Sequence, residues 1–390
     1  MMSFLVALIN LGWLNPVYSY AIVSVLIILV FQLFRFGTVR LNMVRAPLLW
    51  FLLLFGAGYS TIGVQTISSL LMHTAVPFLT MCAGWVLYEM GRDRQKNMIR
   101  LLIAVAVGFA VHASLNYFVN VGRSRFMLRD FFSGMSEAAT GLGAVNTYVV
   151  SLIGYWIFVE KRLAVKLIAL ACSIPTLLSL LLLGTRTQMI ILISMTALTL
   201  LIYTFERHGK TALVRVAAIL AVLALAAMAV YQNNLFGIRT TIDASTLLMR
   251  LQDTSVGQLR SDAYRINSVW NGIVSLIENP LGHVDHNYFH NMWLDVGRVG
   301  GWIPFIGIMV FSVVVLFHLV KIMKSPWLRT ELRYLLFCLI IGAMINFLTE
   351  PIIEGMVDFF YSHVLIVGMM EAMYHDRSLR RMKTKEQAGA

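Results

Sequence analysis

Hydrophobic positions along the chain come in long runs of similar length, separated by short polar connections. The runs fall at about 17–34, 46–64, 67–88, 99–120, 141–159, 163–183, 187–205, 212–231, 301–320, 333–349 and 357–373. At ~1.5 Å per residue, each is long enough to cross a ~30 Å hydrocarbon core as a helix. The pattern predicts an all-α, polytopic membrane protein of eleven transmembrane helices. Residues 1–14 are apolar but short and are followed by Asn15 and Pro16, so they form a twelfth span or an interfacial helix. They lack the basic head and small-residue cleavage site of a removed signal peptide. The expected organisation is one integral membrane domain over residues 1–390, with a large late loop at 232–300 and a basic tail at 374–390.

Composition sharpens this picture. The chain is 59% hydrophobic and 13% charged, whereas soluble domains carry about a quarter charged residues. That excludes a soluble enzyme, a disordered protein and a secreted disulfide scaffold. Cys82, Cys172 and Cys338 all fall inside apolar runs and are expected to be free thiols. A net charge of +12 would suggest a nucleic-acid partner, but its distribution says otherwise. Alternate connections and the tail hold 22 of the 31 basic residues, giving +14 on one side and −2 on the other. The positive-inside rule makes the basic side cytoplasmic, so the charge reports orientation and no nucleic acid is expected. The remaining nine bases face the expected outer side, and all are arginine: Arg123, Arg125, Arg129, Arg186, Arg239, Arg250, Arg260, Arg265 and Arg298. An arginine fork suits phosphate and pyrophosphate, although arginine also snorkels at membrane interfaces.

Polar chemistry concentrates on that second side. Residues 265–280 carry Ile266, Val269, Trp270, Ile273, Val274 and Ile277 at helical spacing. Asp262 is a suitable cap, and Asn279, Pro280 and Gly282 end the run. An amphipathic helix on the outer surface follows, with Arg265 in its first turns. Next, a helix over 286–297 would put His286, His290, Trp293, Leu294 and Gly297 on one face. It would leave Asp295 about 140° from His290, poorly placed to orient it. Histidine is the side chain best suited to accept a proton near neutral pH; an interfacial, hydrogen-bonded histidine has the same local sequence. His283, Asp285, His286 and His290 have part of a zinc-site spacing, but the set is incomplete and no metal is expected. Arg186 starts the helix after Gly184 and Thr185, at the edge of the membrane. Glu350, Glu354 and Asp358, at the outer end of the last hairpin, are expected to hydrogen-bond substrate hydroxyls or to cap helices. His73, His112, His318 and His363 lie within spans, where they pair between helices or line a path.

Three of these elements, in this order, resemble the O-antigen polymerase and O-antigen ligase superfamily of bacterial membrane glycosyltransferases. They are Gly184, Thr185, Arg186 and Thr187 at a helix start, Arg265 fifteen residues before Pro280, and His290, Asn291, Leu294, Asp295, Gly297, Gly300 and Gly301 running into the next span. The resemblance covers about 140–310 by motif, and the whole chain by its many spans and one large late loop. It implies a transferase of the bacterial inner membrane with its active site facing the periplasm and no nucleotide-sugar site. The implied donor is an undecaprenyl-pyrophosphate-linked oligosaccharide, and the implied partners are that carrier, membrane lipid and a chain-length regulator. No cofactor is implied. Carried onto matching positions, Arg186 and Arg265 hold the pyrophosphate and His290 is the general base. Asn291, Trp293, His286 and Arg260 are further substrate contacts, with Tyr288 and Trp293 as sugar-facing rings. Only residues 281–289 separate Pro280 from the histidine; ligases of this type often have more loop here, which favours a polymerase. A ligase transferring the glycan to lipid A core is the second expectation. A glycan flippase is a more distant one, for which no internal repeat is evident.

Overall fold

The computed structural model describes residue 30 and residues 46–90, 93–124, 127–132, 134–252, 256–283 and 288–376; side chains at 210, 212, 213, 223, 236 and 256–266 are not described. The runs expected at 1–14 and 17–34, and residues 377–390 of the tail, lie outside this set apart from residue 30.

In chain order the helices are α1 (Pro47–Gly63), α2 (Ile67–Glu89), α3 (Arg94–Asn120), α4 (Ala139–Val159), α5 (Leu163–Leu183), α6 (Arg186–His208) and α7 (Ala212–Gln232). The short α8 (Ile238–Asp243) and α9 (Thr246–Gln252) follow, then α10 (Val256–Glu278), α11 (Met292–Gly300), α12 (Trp302–Met323), α13 (Thr330–Phe347), α14 (Ile352–Gly355) and α15 (Val357–Tyr374). Among the described residues no β-strand forms; Arg129 and Ser136 make an isolated bridge. Among the described residues eight helices are long and apolar enough to cross a membrane: α2 to α7, α12 and α13. The expected spans at 46–64 and 357–373 are present as the shorter α1 and as α15, which carries Asp358, His363 and Glu371 and is not among the eight.

The chain forms two compact units. One comprises Met1–Gly108 with Ser261–Ala390, and the other Phe109–Arg260. One polar residue of α15, Glu371, is accommodated by its place in the first unit, where every residue from Phe359 to Met373 is buried. Glu371 accepts from His318 (2.7 Å) and His375 (2.8 Å), so its carboxylate is satisfied by protein. Such a helix need not be apolar all round. Its contact with α2 depends on two glycines. A methyl group at Gly84 would meet the Leu365 carbonyl oxygen, and one at Gly368 would meet that of Met81. Lipid gives helices little hydrophobic reason to associate, so close backbone approach through small residues supplies the packing.

In the second unit α4 packs between α5 and α6, and α7 rests on α6 with most of its surface exposed. The loop after α3 is fastened to a row of side chains one helical turn apart, His112, Asn116 and Asn120. His112 Nε2 meets Asp130 Oδ1 at 2.5 Å, and Asn116 Nδ2 donates to the same oxygen. Asn116 Oδ1 accepts from Phe131 N, while Asn120 both donates to Arg129 O and accepts from Arg129 N. His112 thus pairs with a loop, whereas His318 pairs between helices.

Gly368→Val is expected to destabilise the first unit by about 1–3 kcal/mol, the usual range for overpacking. Gly355→Ala, where nothing lies within 4 Å, should be neutral. Thermal unfolding in detergent, followed by loss of the monodisperse peak, separates the two.

Candidate functional site

The first unit assembles a polar site around His290. Two glycines close its base. Gly282 (φ +83°) and Gly301 (φ +74°) lie back to back, and a side chain on either would strike the other strand of the loop. Trp302 N donates to Pro280 O (3.0 Å) and His283 N to Arg298 O (2.6 Å). The segment from Pro280 to Trp302 is therefore a closed loop carrying α11.

α11 begins at Met292 and not at residue 286. Asn291 is its N-cap, with Oδ1 accepting from Leu294 N at 3.1 Å, and its Nδ2 donates to Leu348 O. Asp295, in the first turn, reaches backwards. Oδ1 accepts from Phe289 N (2.7 Å) and Oδ2 from Asn291 N (3.2 Å). With the amides on both sides of it held, His290 sits at φ +54°, a left-handed conformation costing of order 1 kcal/mol or more for a non-glycine residue. The expected common face of His290 with Trp293, Leu294 and Gly297 is therefore not formed, because His290 precedes the helix. Asp295 does orient the histidine, through its backbone and not its ring.

Burial pushes the Asp295 carboxyl above its ordinary range, opposed by the two amides and by Arg298. Arg298 Nε lies 3.8 Å from Asp295 Oδ1, its Nη2 bonds Glu354 at the end of α14, and its guanidinium lies over the Tyr288 ring. Tyr288 and Glu354 are thereby both engaged with Arg298. A second carboxylate faces the imidazole: Glu350, between α13 and α14, places Oε2 3.9 Å from His290 Nδ1. The Glu350 side chain is 3% exposed and that of His290 28%. An ion-pair distance of this kind can tighten to a hydrogen bond when a substrate binds.

α10 supports the site from one side. Ser268 Oγ donates to Phe289 O at 2.9 Å, and Gly272 leaves room for Phe289 and Leu294. Arg265 is three residues before Ser268 in the same helix; its side chain and that of Arg260 are outside the described residues, as is all of His286. Trp293 is tied inward, its indole N–H donating to Ser312 of α12 and its ring set against Phe347. Asn291 is likewise occupied as a cap.

Arg186 belongs to the other unit. It is half-buried at the start of α6, after Gly184 in a left-handed turn (φ +61°). Arg250 of α9 donates to the Gly184 carbonyl, a cationic cap on the end of α5. Leu128, Ala139, Leu142 and Leu183 form the apolar cluster beside this turn. Among the described residues no group of three or more His, Cys, Asp or Glu is arranged to hold a metal ion.

Asp295→Ala should leave the Phe289 and Asn291 amides without acceptors, at about 1–3 kcal/mol for each one kept from water. Hydrogen exchange at residues 288–292 is expected to accelerate markedly, with α15 unchanged.

No protein-family model and no curated protein matches this chain.

Proposed function

We propose that the chain is a membrane glycosyltransferase of the O-antigen polymerase type, moving a glycan from an undecaprenyl-pyrophosphate carrier to the terminal sugar hydroxyl of another lipid-linked repeat at the periplasmic face. The observation that carries this reading is the buried Glu350 carboxylate beside His290 Nδ1. A carboxylate on one ring nitrogen fixes the orientation of the imidazole and stabilises its protonated form, leaving Nε2 to act as base.

In this scheme Nε2 takes the proton of the acceptor hydroxyl. The freed oxygen attacks the anomeric carbon as the bond to the pyrophosphate breaks. One displacement inverts that carbon. Negative charge grows on the departing pyrophosphate, where arginine forks stabilise it electrostatically. The family resemblance assigns that task to Arg186 and Arg265, so the scheme requires no divalent cation. The short segment between Pro280 and His290 favours a polymerase over a ligase.

Purified protein should elongate a synthetic undecaprenyl-pyrophosphate-linked repeat. His290→Asn, which keeps a residue tolerant of positive φ, should slow this by about 10²–10⁴-fold. Wild-type rates in that variant would remove the base assignment. In cells lacking the protein, lipopolysaccharide core bearing a single repeat identifies a polymerase, bare core with accumulated lipid-linked polymer a ligase, and an unchanged ladder with blocked glycan export a transporter. Glu350→Gln should lower kcat at least about tenfold, ~1.4 kcal/mol of barrier, with KM nearly unchanged.

A further inference from the structure

α10 has three faces where an ordinary amphipathic helix has two. At ~100° per residue, Ser268, Gly272 and Leu276 gather on one side; among its described side chains these are the buried positions, set against Phe289, Leu294 and Gly297. Val269, Trp270, Ile273 and Ile277 gather on a second side and are exposed, Trp270 at 67% and Ile277 at 64%. Asn267, Asn271 and Glu278 form a third side, also exposed. The apolar stripe legible in the sequence is therefore not the stripe that docks on the protein. A helix that packs through serine and glycine while turning tryptophan and isoleucine outward is built for two surroundings, and the second is apolar.

The place of the helix indicates what that surrounding is. The Trp302–Pro280 hydrogen bond and the Gly282–Gly301 contact fasten the end of α10 to the first residue of the span α12. The first turns of α12 expose Trp302, Ile303 and Ile306, the surface a span turns to lipid, and Leu281 between the two helices is 69% exposed. The apolar face of α10 thus starts from the level at which α12 enters the membrane, where tryptophan is the preferred boundary residue.

We propose that α10 is an interfacial membrane anchor. Its Val269–Ile277 face lies in the headgroup–acyl boundary of the leaflet at the Trp302 end of α12, and its Ser268–Leu276 face holds the His290 segment at a set height above the bilayer. Residues 266–279 contain one acid, Glu278, and no base. The Val269–Ile277 face itself carries no charge, so its attachment is through apolar area and does not depend on anionic lipid. None of this rests on the proposed reaction.

The test uses the full chain in proteoliposomes, with the exposed Cys172 replaced by serine and the buried Cys82 and Cys338 retained. Nitroxide labels are placed singly through Trp270→Cys, Ile273→Cys or Ile277→Cys, and through Asn267→Cys, Asn271→Cys or Glu278→Cys. Collisions with oxygen, which partitions into lipid, should exceed those with a water-soluble nickel chelate at 270, 273 and 277. The ratio should reverse at 267, 271 and 278. The same pattern is expected in phosphatidylcholine alone and with added phosphatidylglycerol. Nickel access at 270 and 277 equal to that at 271 and 278 would overturn the anchor by showing a water-facing stripe. Shielding of 270 and 277 from both reagents would overturn it by showing a covering protein surface. A pattern that vanishes without phosphatidylglycerol would overturn the apolar mode of attachment.

Discussion

A single buried carboxylate organises the polar half of the first unit. Asp295 lies in the first turn of α11, where the helix dipole favours negative charge, and its two oxygens take the amides of Phe289 and Asn291. Removing an ion from water without such partners would cost several kcal/mol. With them, the turn has little freedom left. His290 is held in its left-handed conformation, Asn291 is placed to cap α11, and Arg298 is drawn between Asp295 and Glu354. The location of the imidazole beside Glu350 is thus a consequence of how a carboxylate five residues further along the chain is satisfied.

The membrane architecture was readable because hydrophobic run length is a local property. The run at 163–183 is α5 to the residue, and those at 67–88 and 212–231 agree with α2 and α7 to within a residue. The helix ending near Glu278 was legible from its spacing, but its docking face was not, since Ser268 and Gly272 announce nothing until Phe289 and Leu294 are beside them. The start of α11 was misplaced for a different reason. Histidine spacing at 286 and 290 suggested a helical face, while the stronger signal was Asn291 as a cap with an acid in the first turn. That Asp295 reaches two amides beyond the helix is a tertiary detail. The pairing of His290 with Glu350 joins residues sixty positions apart, and no periodicity encodes it. α15 shows the converse, where Glu371 looks costly in a span until its bonds to His318 and His375 are known.

The two units handle arginine differently. In the first, Arg298 is consumed by structure, held between two carboxylates and over an aromatic ring. In the second, Arg250 closes a helix end while Arg186 opens the next helix after a glycine turn. A planar fork can meet two acceptors at once while an ammonium presents a point charge, which suits both roles.

The row of His112, Asn116 and Asn120 on α3 bears on how the protein is made. A nascent α3 would bring these three polar side chains to one stripe of a membrane helix before any partner existed for them. Their acceptors and donors lie at Arg129, Asp130 and Phe131, which leave the ribosome after the helix does. The partners of this stripe therefore lie in the loop that directly follows the helix, so α3 depends on no distant element to satisfy it.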